Sequence, residues 1–403
     1  MNYDKLRITD IEVENKRVFT RLDLNVPLDE NCNIADDHRI VSALPTIKYI
    51  LKKGGKPILA SHLGRPKGKV VPELSLKPVR KRLQELLDTK IILAEATVND
   101  EIIGISKNLT AGEVLLIENL RFEPGEKKND PEFSRKLSLL GDLYINDAFG
   151  TAHRAHASVT GITEFYNKRA MGFLMEKELK WLGYALENPN KSFIAVLGGA
   201  KISDKIEVIM NLIPKVDTII VGGAMAFTFL KAKGVTVGNS LIDNNKLPEA
   251  MKILNYAIEK KTNFVLPNDF VVANKFSDDA EKKTVERDKI PDGWMGLDIG
   301  PLTTKIFEQA LMTAQTIFWN GPMGVFEMDN FKKGTFQIAK TIAERTQKGA
   351  ITVIGGGDSV SAVKMAGLEN RFTHISTGGG ASLEFMAGKD LPGISSLSDR
   401  EEH

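Results

Sequence analysis

The chain has 403 residues, more than one hydrophobic core usually serves, so two domains are expected. Hydrophobic residues make up 42% and charged residues 26%, which excludes global disorder and fibrous repeats. Net charge is +2, with 27 basic and 24 acidic residues up to position 170 and 27 and 28 beyond it, a balance that argues against a nucleic-acid groove.

The chain opens on MNYDKLRITDIEVENKRV, which has no apolar core followed by a cleavage site, and no apolar run anywhere approaches roughly 18 residues. Neither an export signal nor a membrane span is expected, and a cytoplasmic location follows. Strands are predicted near Val18 to Leu24, Pro57 to Ala60, Glu113 to Ile117 and Leu143 to Ile145, with helices over Ser75 to Leu87 and Pro131 to Leu140. Cys32 stands alone, so no internal disulfide forms and a reducing compartment is favoured. The basic cluster Lys77 to Arg82 alternates with apolar residues at helical spacing and reads as a solvated helix face.

Leu174, Met175, Leu179, Leu182 and Leu186 recur at three- and four-residue intervals before Asn188-Pro189, predicting a helix over Met171 to Leu186 that joins two domains. Beyond it the strands are placed at Phe193 to Leu197, Thr218 to Val221, Asn263 to Leu266, Gln315 to Trp319, Ala350 to Ile354 and His374 to Ser376. The charged stretch Ser277 to Asp292 reads as an exposed excursion. Strands alternating with amphipathic segments throughout give an α/β class: two Rossmann-like domains, each a mainly parallel sheet flanked by helices, joined by a hinge helix.

In such sheets function collects where strands end, because loops converge there and helix N-termini present unpaired N–H groups. Five strands of the second half run into glycine: Gly198-Gly199-Ala200-Lys201, Gly222-Gly223-Ala224, Asn320-Gly321-Pro322-Met323-Gly324, Gly355-Gly356-Gly357-Asp358 and Gly378-Gly379-Gly380-Ala381. One such turn is commonly structural; five on one sheet make a shelf where backbone amides approach an anion, as a polyphosphate site requires. GxxxxGK[ST] is absent, and both Gly-Gly-Gly runs lack the third glycine of GxGxxG, with Val360 and Leu383 there. Asp358 opens a predicted helix, where it either caps the helix or holds Mg²⁺.

The first half ends its strands differently: Asp23 and Asn25; His62-Leu63-Gly64-Arg65; Asn119-Leu120-Arg121; Asn146-Asp147 followed by His153-Arg154-Ala155-His156, with Arg39 in IADDHRI. Guanidinium forks bind phosphate and carboxylate bidentately, so this set suits a small acid carrying both. A phosphorylated-nucleophile role for His62 is disfavoured by the lack of an obvious base beside it. His38 and His374 read as structural, the first on a polar turn and the second inside an apolar strand, and no Cys/His cluster has zinc spacing.

RLDLNVP, SHLGRP, ENLRF, NDAFGTAHRAHAS, LGGAKISDK, FWNGPMGVFE, IGGGDS and STGGGASLE occur in one order across almost the whole chain. With them the sequence resembles the phosphoglycerate kinase family. The resemblance implies an acid-substrate domain over residues 1–171, completed by 389–403, and a nucleotide domain over 172–388. It assigns Asp23, Asn25, Arg39, His62, Leu63, Gly64, Arg65, Arg121 and Arg154 to 3-phosphoglycerate or 1,3-bisphosphoglycerate. To ADP or ATP it assigns Lys201, Lys205, Gly222, Gly223, Gly296, Asn320, Glu327, Gly356, Gly357, Asp358 and Ser359, with Asp358 as the Mg²⁺ ligand.

Arg39, Lys205, Gly379 and Gly380 are expected to stabilise the moving phosphoryl group. A monomer with small-molecule partners, without nucleic acid or membrane, is implied. The chain from Leu391 onward is expected to return to the first domain, with the end after Gly393 partly frayed. The rival readings are an NAD-dependent dehydrogenase, disfavoured by the incomplete glycine fingerprint, and a non-catalytic two-lobed binding protein, disfavoured by the missing export signal.

Overall fold

The computed structural model describes residues 4–400 and divides into two compact units, residues 1–180 with 390–403, and residues 181–389. The first unit is built on six parallel strands: β1 (Arg17–Leu22), β2 (Lys56–Ala60), β3 (Ile91–Leu93), β4 (Val114–Leu116), β5 (Leu143–Asp147) and β6 (Arg169–Met171), in the order β3-β4-β2-β1-β5-β6. Helices cover both faces of such a sheet, so its strands read as unbroken apolar runs. In β1 every residue after Arg17 is buried. Leu22, Ile40, Ile47, Leu59, Val79, Leu83 and Leu116 meet in one core cluster, tying the helices His38–Lys52 and Lys77–Leu87 to the sheet.

The chain's end belongs to this unit. Gly393 N–H donates to Ala152 O at 2.8 Å, Asn146 Nδ2 to Gly393 O at 3.1 Å, and Leu6 N–H to Ser398 O at 2.8 Å. Ile394 and Leu397 are buried, which corrects the expectation of fraying immediately after Gly393; residues 401–403 of that tail lie outside the described residues.

The second unit holds a six-stranded parallel sheet and a three-stranded antiparallel one. The parallel strands are β7 (Phe193–Leu197), β8 (Thr218–Val221), β9 (Asn263–Val265), β13 (Thr316–Asn320), β14 (Ile351–Gly355) and β15 (His374–Ile375), ordered β15-β14-β13-β7-β8-β9. The antiparallel sheet is β11-β10-β12, from β10 (Asp269–Ala273), β11 (Lys282–Glu286) and β12 (Met295–Ile299). The stretch Ser277 to Asp292 is therefore not only an excursion, since it carries β11. Its lysines and glutamate are those of an edge strand kept polar against further pairing, which hid it from hydropathy.

The helix Phe173–Glu187 carries the chain from one unit to the next, the division falling between Lys180 and Trp181. His38 opens the helix His38–Lys52 instead of sitting on a turn. His374 is a buried residue of β15. Among the described residues no helix is long and apolar enough to cross a membrane.

Candidate functional site

In the first unit β4, β2, β1 and β5 lie side by side, so the loops leaving their carboxyl ends converge. Asp23, after β1, accepts an ion-paired hydrogen bond from Arg39 Nη1 on the first turn of the helix His38–Lys52. Asn25 Oδ1 accepts from Gly64 N–H at 2.8 Å, and Arg121 Nη1 donates to Gly64 O at 2.7 Å, so the main chain of one residue ties three loops. The side chain of Asn119 fixes the third loop, accepting from Leu63 N–H at 3.2 Å and donating to Leu63 O at 2.7 Å. Leu63 is itself buried and offers the site main chain only, whereas Arg65 is exposed and Arg154 half-buried.

Arg21 was not among the candidates, yet it is fully buried at the base of this group. Its Nε donates to Ser158 Oγ at 2.9 Å and its Nη2 to His62 Nδ1 at 3.3 Å. Ser158 is held by the buried Glu126, donating to it from N at 3.0 Å and from Oγ at 2.6 Å. The signal was present in the sequence, as an arginine inside the apolar run RVFTRL of β1. A buried charge there requires partners, and these are Ser158, His62 and the main chain of Leu22.

Burial, and then Arg21, Arg121, Arg39 and Arg154, hold the His62 imidazole well below its ordinary pKa. His62 is thus neutral, its Nδ1 an acceptor for Arg21. Burial and the neighbouring guanidiniums of Arg154 and Arg21 also lower Arg121, to about 10. Cations this close repel one another, so the loops form a basin preset for a multiply charged anion.

His156 reports the same field: burial first, then Arg21, Arg121 and Arg154, bring its pKa to about 3. Its folded pKa is depressed, so between about pH 3 and the unfolded value near 6.5 only the unfolded chain takes up this proton. That contribution destabilises the fold as pH falls through the window. Buried Asp298 and Asp147, raised to about 7 and about 6, act in the opposite sense. The comparison that isolates the histidine is between variants: from pH 7 to pH 4 the wild-type urea midpoint is expected to drop more than that of His156→Gln, and parallel profiles would contradict the assignment.

In the second unit the strands followed by glycine, β7, β8, β13, β14 and β15, are all members of the same parallel sheet. Beside their ends opens a cleft of about 490 Å³ lined by Gly223, Gly296, Glu327 and Asp358 of the expected set. Its apolar wall, which sequence reasoning missed, includes Phe227 and Phe270, whose ring centroids are 4.5 Å apart. Gly296 lies in β12 and its absent side chain matters, since a Cβ there would come within 2.1 Å of Phe227 Cζ. Phe227 follows a glycine turn in a helix and Phe270 lies on the antiparallel sheet, so their meeting is a tertiary fact with no local spacing to announce it.

Lys201, Lys205, Gly222 and Gly356 on the strand-end loops, Asn320 at the end of β13, and Gly357 and Ser359 in the first turn of the helix Gly357–Met365 are not on the wall of the cleft. Lys201 is exposed. Lys205 is largely buried, which lowers its pKa against the opposing pull of Asp204 and Asp358. Trp319 Nε1–H donates to Gly321 O at 2.8 Å, and Gly321 N–H donates to Ser359 Oγ, fixing the loop after β13. Asn320 Nδ2 is buried without a hydrogen-bond partner, at the ends of β13 and β14. A buried amide donor left open there is available to a ligand.

Gly379 precedes the helix Gly380–Met386, and the turn before it is held by Gly378 N–H on Ser376 Oγ at 3.1 Å. Asp358 lies in the first turn of the helix Gly357–Met365, whose N-cap is Gly356 and has no side-chain cap. Capping is therefore not its role. Among the described residues no group of three or more His, Cys, Asp or Glu could hold a metal. A lone exposed carboxylate fits Mg²⁺, which is ordinarily held by one or two carboxylates together with substrate phosphates.

An arginine basin at the strand ends of one α/β unit and a glycine-lined cleft in the other define a kinase of the two-unit α/β class. The family model for phosphoglycerate kinase matches residues 8–389, and the chain belongs to that family. It is 55% identical over 396 residues to the phosphoglycerate kinase of Chlorobium phaeobacteroides (strain BS1), covering 98% of this chain and 100% of that one. It is also 55% identical over 395 residues to that of Prosthecochloris aestuarii, again covering 98% and 100%.

The solved structure of phosphoglycerate kinase from Coxiella burnetii superposes with a TM-score of 0.88 at 39% identity, covering 98% of each chain. That from Pyrococcus horikoshii OT3 gives 0.80 at 34%, covering 97% of this chain and 98% of the other. The chain is thus a nucleotide-dependent phosphotransferase acting between 1,3-bisphosphoglycerate and ADP, reversibly, to give 3-phosphoglycerate and ATP.

Proposed function

We propose that the first unit holds the acid substrate, through Asp23, Asn25, Arg39, His62, the Leu63-Gly64 main chain, Arg65, Arg121 and Arg154. The second unit holds the nucleotide. The observation that carries this division is the sheet arrangement itself, with neighbouring strands ending in guanidinium-bearing loops in one unit and in glycine loops in the other. In the second unit the wall of Phe227, Phe270 and Gly296 receives the base. The phosphates lie toward Gly222-Gly223, Asn320, Glu327 and Gly356 to Ser359, within reach of Lys201 and Lys205.

In the reaction an oxygen of the ADP β-phosphate bonds to the phosphorus of the acyl phosphate while the bond to the carboxyl oxygen breaks, releasing a carboxylate. Both are anionic at neutral pH, so no general base is required; alignment and charge stabilisation supply the catalysis. Arg39, Lys205 and the amides of Gly379 and Gly380 are assigned to the charge on the transferring group. Mg²⁺ held by Asp358 would neutralise charge on the nucleotide phosphates. Movement of the units about the helix Phe173–Glu187 is the step we assign to bringing donor and acceptor together and excluding water. A cytoplasmic monomer is part of the same reading.

The metal assignment has a direct test. For Asp358→Asn, ADP affinity is expected to lose most of its dependence on Mg²⁺ concentration, while affinity for 3-phosphoglycerate stays unchanged. A Mg²⁺ dependence equal to wild type would remove Asp358 as the metal's partner.

A further inference from the structure

The second unit has a second and larger cavity, a groove of about 890 Å³, that the nucleotide reading does not use. Five lysines line it: Lys282 and Lys283 from β11, and Lys332, Lys333 and Lys340 from and just before the helix Lys333–Gln347. No aspartate or glutamate does. Two of the five are engaged locally, Lys332 with Asp329 in an ion pair and Lys282 with Asn330 in a hydrogen bond, and Lys283 lies 3.9 Å over the Trp294 ring. Lys333 and Lys340 are exposed and form no hydrogen bond or ion pair among the described residues. The nearby Glu308 is turned to Gln337 and Thr341.

The floor between the lysines is apolar, from Val271, Ile299 and Phe336. A solvated lysine face carries no such floor, and a purely apolar groove no such ring of charge. From these two features together we propose that the groove is a binding site for an amphipathic anion, a small molecule with one or more phosphate groups on an apolar body. Lysine serves phosphate as a compact point charge, and the phosphates would sit at Lys333 and Lys340 with the body on Phe336 and Ile299.

The groove is distinct from the nucleotide cleft but adjoins it. Leu297 and Asp298 of β12 line the cleft, and the next residue, Ile299, lines the groove. Asp298 accepts from the N–H of Gly334, which also lines the groove, at 2.8 Å.

The test uses 1-naphthyl phosphate as probe, titrated calorimetrically into the full-length protein with ADP and 3-phosphoglycerate saturating, so that both substrate sites are filled. One further site is expected, weakened at least about tenfold in the double variant Lys333→Glu/Lys340→Glu and bound less tightly by inorganic phosphate, which lacks the body. Both lysines are exposed, so the variant is expected to keep wild-type kcat and KM, showing that it folds. Absence of binding to the wild-type protein, or equal binding to the charge-reversed variant, would overturn the site. Equal affinity for inorganic phosphate would overturn the role of the apolar floor.

Discussion

Replacing Arg39 by alanine is expected to lower kcat at least about 100-fold while leaving ADP affinity within about twofold of wild type. Arg39 projects from the first turn of the helix His38–Lys52 and is partly exposed, as a group that must meet a substrate has to be. Its resting partner is Asp23, which is only 7% exposed. Removing the guanidinium therefore does two things: it deletes a cation assigned to the transferring phosphoryl group, and it leaves a buried carboxylate facing the incoming anion. Arg39→Lys keeps the charge but not the fork, and an intermediate kcat is expected for it. Steady-state kinetics in both directions, with ADP binding followed separately, decide the matter. Near-normal kcat in Arg39→Ala would refute the assignment.

Gly223→Ala is expected to abolish tight ADP binding and to destabilise the protein by about 3 kcal/mol. Gly223 has φ of +64°, where a side chain costs strain, and a Cβ there would lie 2.5 Å from Gly199 N, 2.7 Å from Gly199 O and 2.8 Å from Pro322 O. All three are main-chain atoms of the loops after β7 and β13, so no rotamer change can relieve the contact. The strain passes directly into the glycine loops that border the cleft, which is why one methyl group should reach both stability and affinity. Urea unfolding and an ADP titration measure the two effects. Wild-type affinity for ADP would show that the loops tolerate displacement and do not form the nucleotide surface.

The parallel strands were legible because strands buried on both faces announce themselves as β-branched apolar runs; β7 and β8 begin and end at the residues their apolar runs mark. Not every strand was: β3 and β6, of three residues each, went unmarked although the equally short β4 and β9 did not, and β11 is an edge strand whose lysines and glutamate read as solvated loop. The loops of both units were found because glycine and arginine at strand ends are local signals. Residues that hold the site from behind were missed, since Glu126 reaches Ser158 and Ser158 reaches Arg21 across 32 and 137 positions of sequence. The aromatic wall of the cleft escaped for the same reason. Phe227 and Phe270 look like ordinary core until the antiparallel sheet brings them together.

Amide hydrogen exchange, recorded with each substrate alone, addresses the division of labour most directly. With 3-phosphoglycerate, slowed exchange is expected at residues 23–25, 62–65 and 119–121; with ADP, at residues 199–205, 222–224 and 356–359. Protection of the arginine loops by ADP alone, or of the glycine loops by 3-phosphoglycerate alone, would contradict it.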